Sequence, residues 1–236
     1  MSTGERVNEF GQPIGRAVDW VPGPPVLPVT LVGRTCRVEP WDARHLDALY
    51  DATVRSSPAS LWTYLATPPL DEPAGLATWL DGLAADPGAV PLVICRPDGR
   101  AVGTASYLRL DPANGSVEVG AIALAAELQR TTAATEAMFL MMRHVFDDLG
   151  YRRYEWKCDA LNAPSRAAAG RFGFTYEGTF RNAVVYKGRN RDTEWFSITV
   201  EEWDRVRSAF TAWLAPENFD EHGAQRSSLR ARHDSG

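Results

Sequence analysis

The chain predicts an α/β (α+β) fold, with a mixed, mostly antiparallel twisted sheet flanked by helices. Three observations carry this. Two turns, Pro97-Asp98-Gly99-Arg100 and Pro112-Ala113-Asn114-Gly115, join strand-like runs into an antiparallel meander. Between Val117 and Met142 the apolar period changes from that of a strand to that of a helix. A further strand, Tyr151 to Asp159, follows that helix and should lie parallel to its predecessor.

The 236 residues suit one large domain, and a hydrophobic content of 44% supports a sizeable core. A net charge of −5 and a pI near 5.4 argue against a nucleic-acid partner. No apolar run approaches the ~20 residues a membrane span needs. The first residues hold no apolar signal core, so a cytoplasmic protein with no membrane partner is expected. Cys36, Cys95 and Cys158 are far apart and odd in number. They read as buried free thiols, and no metal is expected.

In chain order, residues 1–28 read as an extended Pro-rich arm, because Val21 to Pro28 excludes a helix or an inner strand. Trp20, Val26 and Leu27 suggest that part of the arm packs. The domain proper runs over residues 29–215. Thr30 to Pro40 reads as a strand pair or as one long strand with a turn at Gly33. Asp42 caps a helix with Leu46, Leu49, Tyr50 and Val54 on one face, ended by Ser57-Pro58. Leu61, Trp62 and Leu65 mark a second short helix. Trp62 and Tyr64 are either core anchors or walls of a pocket. A third helix, Pro73 to Ala84, turns Leu76, Trp79, Leu80 and Leu83 inward. The meander follows as Val90 to Cys95, Ala101 to Leu110 and Val117 to Leu124. Thr131 or Thr132 caps the long helix that begins near Ala133 and stops at Gly150. After the strand Tyr151 to Asp159 comes a short helix, Pro164 to Arg171, capped by Asn162 or Ala163. Gly173 to Phe180 reads as a strand that resumes past a break at Asn182. Asp192 to Val200 is the last strand, and Glu201 to Leu214 the last helix, with Trp203, Val206, Phe210 and Trp213 apolar. Residues 216–236 are polar and expected to be a disordered tail.

The polar stretch Glu127 to Thr132 precedes a helix start, which offers free N–H groups and the positive end of a dipole to an anion such as a pyrophosphate. An ordinary βα crossover without ligand is the plainer reading of this stretch alone. Four pieces add to it. They are Val117-Glu118-Val119-Gly120, Gln129 to Ala137, Asn162-Ala163-Pro164-Ser165, and Gly173-Phe174 with Glu177-Gly178. In this order and spacing the chain resembles the GCN5-related N-acetyltransferase (GNAT) superfamily, of the RimJ/RimL type that acetylates protein N-termini and small amines. The resemblance covers roughly residues 30 to 200. It implies a central parallel strand pair that splays apart. It departs at Thr132 and Ala134, where the family loop usually carries glycine.

The resemblance implies acetyl-CoA as co-substrate and a primary amine, on a small molecule or a protein N-terminus, as acceptor. The pantetheine arm would pair with the backbone of Ile122, Ala123 and Leu124, with an N–H of Ala123 or Leu124 facing the oxyanion. The pyrophosphate would rest on Gln129, Arg130, Thr131, Thr132, Ala133 and Ala134. Hydroxyls of Thr131 and Thr132 are further candidate phosphate donors. Glu118 is the candidate base, placed by a four-residue spacing on the face of Ile122; otherwise it lies on an exposed sheet face. Asn162 is a pantetheine or acceptor ligand, a helix cap, or both. Ser165 is the candidate donor to the leaving thiolate, because Ala169 stands where many relatives have a tyrosine. Glu155, Lys157 and Asp159 share one strand face, either lining the acceptor or forming a charge row. Arg181, Lys187, Arg189 and Arg191 either grip an anion or form a solvated turn. The alternatives are transfer from another acyl-CoA such as succinyl-CoA, its carboxylate read by this arginine hairpin, and a catalytically silent domain binding a ligand or protein. A homodimer through the arm or the last helix is compatible with the sequence.

Overall fold

The computed structural model describes residues 6–67, 70–229 and 231. β1 (Leu31–Val32) and β2 (Arg37–Pro40) form an antiparallel pair around the Gly33 turn, which selects the strand pair over one long strand. Asp42 accepts from the Arg44 N–H and starts a helical segment that includes α1 (Leu46–Tyr50) and runs on as a wider turn to Arg55. A 3₁₀ turn at Ala59–Trp62 leads to α2 (Pro73–Ala85). β3 (Ala89–Cys95), β4 (Ala101–Asp111) and β5 (Ser116–Leu124) are the antiparallel meander. Then come α3 (Thr132–Arg143), continued by a wide turn to Asp148, β6 (Arg153–Asp159), α4 (Ala163–Arg171), β7 (Thr175–Tyr186), β8 (Arg189–Thr199) and α5 (Val200–Leu214).

The eight strands make one sheet in the order β1-β2-β3-β4-β5-β6-β8-β7. All neighbours are antiparallel except β5 and β6. The break foreseen in β7 is a register shift between Phe180 and Val184. One face of the sheet packs Val117, Val119, Tyr154, Trp156, Phe196 and Ile198 under α3 and α5. The other packs Val93, Cys95 and Ala123 against Leu49, Trp62, Leu76 and Leu80 of the α1 and α2 segments. Trp62 is core, 1% exposed. All three cysteines are buried free thiols. No helix among the described residues is long and apolar enough to cross a membrane.

Part of the arm and the described part of the tail are tied to the domain. In the arm, Trp20 Nε1 donates to the Ala113 carbonyl at 2.8 Å and Gly23 N–H to that of Pro112 at 2.9 Å. The Tyr151 hydroxyl reaches the Pro24 carbonyl at 2.8 Å. Val26 is buried, whereas Leu27, expected to pack, is 62% exposed. The expectation of a disordered tail is corrected over residues 216–229 and 231. Asn218 bonds the Trp213 carbonyl and Ser227, Phe219 packs edge-on to Trp213, and Leu229 and Ala231 are buried. The polar composition concealed this because few apolar anchors suffice when α5 presents an aromatic surface to receive them.

α3 is anchored to β1 and β2 by Glu136, which is 7% exposed. Its carboxylate accepts from the N–H groups of Arg34 at 2.8 Å and Thr35 at 2.6 Å, and from the Thr35 hydroxyl. Gly33 leaves room for it, since a Cβ there would stand 2.6 Å from the carboxylate carbon.

Candidate active site

The parallel pair opens part-way along. β5 and β6 are in register from Ser116 opposite Arg153 to Val119 opposite Trp156, and not beyond. Yet β5 runs on to Leu124 and β6 to Asp159. Past Val119, the β6-facing edge of β5 therefore has no strand beside it among the described residues.

A bulge sits at this opening. Between Gly120 (opposite Ser106) and Ala123 (opposite Thr104), β5 holds two residues where β4 holds one. Ala121 takes a left-handed φ of 49°. The extra residue reverses the alternation, so Ile122 packs on the α3 side while Ala123 joins the opposite core. Glu118 pairs with Leu108, in phase with Ala123. The expected sharing of a face by Glu118 and Ile122 is thus corrected, because the four-residue spacing assumed an unbroken strand.

Gln129 to Ala134 follow at the end of β5, drawn in by the Gln129 side-chain amide on the Leu124 carbonyl at 2.9 Å. Arg130 has the left-handed φ of 61°, so the loop's turn is made there without glycine, and Thr132 and Ala134 need none. Thr131 is the cap of α3. Its hydroxyl accepts from the Ala134 N–H at 3.2 Å and donates to the Leu128 carbonyl at 2.7 Å. That hydroxyl is spent on the loop, which corrects the expectation of a free phosphate donor at Thr131. The N–H groups of Thr132 and Ala133 have no partner among the described residues and stand at the positive end of α3.

Across the opening, Asn162 caps α4 by accepting from the Ser165 N–H at 3.2 Å. The Ser165 hydroxyl accepts from Trp156 Nε1 at 3.0 Å. Burial pushes the pKa of the Cys158 thiol up to about 11, with the Ser165 hydroxyl acting in the opposite direction. Ala169 is fully buried. Ser165 therefore lies on the α3 side of the sheet and Glu118 on the other, with the gap between β5 and β6 joining the two sides.

Glu118 is 5% exposed. One oxygen, Oε2, takes Arg109 Nε at 2.6 Å and Lys157 Nζ at 2.9 Å. Oε1 points toward Gly120, where a Cβ would come within 3.2 Å of it and 2.6 Å of Leu108. Lys157 also meets Glu155 at 2.7 Å and stands 3.7 Å over the Trp195 ring. Arg153 continues the row to Glu155 at 2.6 Å and Glu177 at 2.5 Å. Burial works against the ionised Glu155, but Lys157 and Arg153 hold its pKa below the ordinary value. The Arg153 guanidinium does the same for Glu177. The strand face that reads as a charge row is a paired one. Arg109 had no signal in the sequence: its φ of 50° marks a second bulge, on β4, that turns it toward Glu118.

The hairpin of β7 and β8 closes over this face. Lys187 Nζ donates to the Trp62 carbonyl at 2.6 Å, and Tyr64 to that of Leu161 at 3.1 Å. Tyr186 donates to Asp159 at 2.7 Å; burial and Asp159 push its pKa up to about 12. Elsewhere, ligand atoms of Glu39, His45 and Cys95 lie within 4.8 Å of one another. Arg37 at 2.9 Å and Arg44 at 2.8 Å already neutralise Glu39 and would oppose a cation there.

The profile of the acetyltransferase (GNAT) domain family matches residues 36–175. The chain belongs to this family. Its GNAT domain is similar to a GCN5-related N-acetyltransferase from Brucella melitensis, at 43% identity over 89% of this chain and 96% of that one, with a TM-score of 0.86. It shares the fold of Mycobacterium smegmatis RimJ, solved in complex with CoA-disulfide. That match has 23% identity over 78% of this chain and 94% of that one, with a TM-score of 0.67. YdaF of Bacillus subtilis (strain 168), provisionally named a ribosomal N-acetyltransferase, is 29% identical over 107 residues. The match spans 45% of this chain and 58% of that relative. In GNAT terms, the opening between β5 and β6, the bulge and the start of α3 form one continuous feature of this domain.

Proposed function

We propose that this protein transfers an acetyl group from acetyl-CoA directly to a primary amine, on a small molecule or a protein N-terminus. The observation that carries the reading is the unpaired edge of β5 running into a helix start with free N–H groups. An extended amide chain ending in a pyrophosphate has the matching chemistry, acceptors and donors along the arm and negative oxygens at its end. Ile122, Ala123 and Leu124 would hold the arm. Thr132 and Ala133 would bond the pyrophosphate through their N–H groups, with Gln129, Arg130, Thr131 and Ala134 shaping the loop and Arg130 adding charge.

Acetyl-CoA supplies a thioester carbonyl. The acceptor nitrogen forms a bond to that carbon, the C–S bond breaks, and the amine proton must leave. Glu118 would take it through water on Oε1, the oxygen not committed to Arg109 and Lys157. An N–H of Ala123 or Leu124 would stabilise the oxyanion. Ser165 accepts from Trp156 and would donate its own O–H to the leaving thiolate, and Asn162 would hold the arm with its amide nitrogen while its oxygen caps α4.

Titration calorimetry with acetyl-CoA, followed by an amine panel read by thiol release, tests the reading. Micromolar binding and amine-dependent release are expected. No binding at millimolar acetyl-CoA would sink it in favour of a non-catalytic domain.

A further inference from the structure

On β8, Arg191, Thr193 and Trp195 alternate and so share a face. Thr193 stands opposite Asp159 and Trp195 opposite Lys157 on β6. This is the face of Glu118, on the far side of the sheet from Ser165. Arg191 Nε, Thr193 Oγ1 and Trp195 Nε1 are all buried without a hydrogen-bond partner among the described residues. Three orphaned polar atoms in a row on one strand are unusual, since such groups are almost always satisfied. Two are obligate donors and the third can donate.

The neighbouring carboxylates are committed elsewhere. Glu194 holds Arg166 at 2.7 Å, Asp159 takes Tyr186, and Asp192 takes Asn190 at 3.0 Å. Arg191 makes no ion pair among the described residues and instead lies beside the Tyr186 ring, 5.9 Å from its centroid. A half-buried guanidinium without a counter-ion, continued by two donors, calls for an anionic oxygen group.

We infer that Arg191, Thr193 and Trp195 form a carboxylate-binding subsite on the acceptor side of the sheet. The inference deepens the transferase reading and rests on it for calling this the acceptor side. The carboxylate has two possible sources: the acceptor amine, or the far end of a dicarboxylic acyl chain reaching through the gap between β5 and β6.

Calorimetry on the full chain separates them with two matched pairs. Succinyl-CoA is compared with acetyl-CoA, and phenylalanine with phenethylamine. In one pair the carboxylate-bearing member should bind about tenfold or more tightly. That preference should collapse toward unity in Arg191→Gln and shrink in Thr193→Val, while Arg189→Gln, on the exposed part of the same hairpin, keeps it. A preference in the first pair assigns the acyl chain; in the second, the acceptor. No preference in either pair, or one that survives both Arg191→Gln and Thr193→Val, overturns the inference. Acetyl-CoA binding to the wild type reads the transferase proposal separately. If it fails, that proposal falls, and the amine pair alone decides the subsite.

Discussion

Glu118 is held by its neighbours rather than by its position in the strand. Two cations fix Oε2, and Gly120 clears the space beside Oε1. A carboxylate so fixed has one orientation in which to accept a proton. Replacing it by Gln keeps the shape and removes the basic oxygen. Glu118→Gln should therefore lower kcat by about 100-fold or more with little change in acetyl-CoA affinity. Unchanged turnover would remove Glu118 from the mechanism. At the other end of β5, Thr131→Ala deletes the cap of α3. A loss of about 1 kcal/mol in unfolding free energy is expected, with weaker acetyl-CoA binding, because the N–H groups of Thr132 and Ala133 are presented by that first turn. Urea unfolding and calorimetry on the same variant check both halves. The cap was legible to within one residue, as Thr131 or Thr132, because two hydroxyl residues stand just before a run of helical period. The clamp on Glu118 was not, because Arg109 becomes its neighbour only through a bulge.

Regular elements were legible, and the bulges between them were not, for one physical reason. Periodicity reports which residues face a core, and it does so for α3, α5 and the meander. The bulges at Arg109 and Ala121 put left-handed φ on residues other than glycine, and no local residue type announces them. Yet the bulge at Ala121 decides which side chains of β5 meet which face, and so moves Ile122 away from Glu118. The helix α3 raises a related point. Glu136 lies two residues past the stretch read for cofactor binding, within the Gln129 to Ala137 piece that carries the family resemblance, and its carboxylate is spent on the turn between β1 and β2. Glu136→Ala should cost about 2–4 kcal/mol, from the lost charge-assisted hydrogen bonds that the buried carboxylate makes to part-buried donors. Chemical denaturation would show it. A cost below about 1 kcal/mol would mean that α3 is held by its apolar face alone.

Across the whole molecule, polar groups complete what apolar packing begins. The arm and the tail lie on the domain through hydrogen bonds to carbonyls and a few buried residues, which composition alone does not reveal. On the Glu118 face of the sheet the row from Arg109 through Glu118, Lys157, Glu155 and Arg153 to Glu177 alternates in sign across β4, β5, β6 and β7. Joining four strands, it makes the stability of the sheet depend on acid. The Arg153 guanidinium holds Glu177 below the ordinary carboxylate value, and, against burial, Lys157 and Arg153 hold Glu155 below it too. A carboxylate whose pKa is lowered by folding contributes stability that is complete above its unfolded pKa. That contribution is lost as pH falls through the folded value. Urea midpoints should therefore be nearly flat from about pH 7 to about pH 5.5 as far as this row is concerned, and fall below about pH 4.5. Glu177→Gln should start lower at neutral pH and fall less steeply in acid, since the neutral amide has no proton to gain. A variant whose midpoint tracks the wild type at every pH would show that Arg153 and Glu177 gain nothing from meeting in the fold.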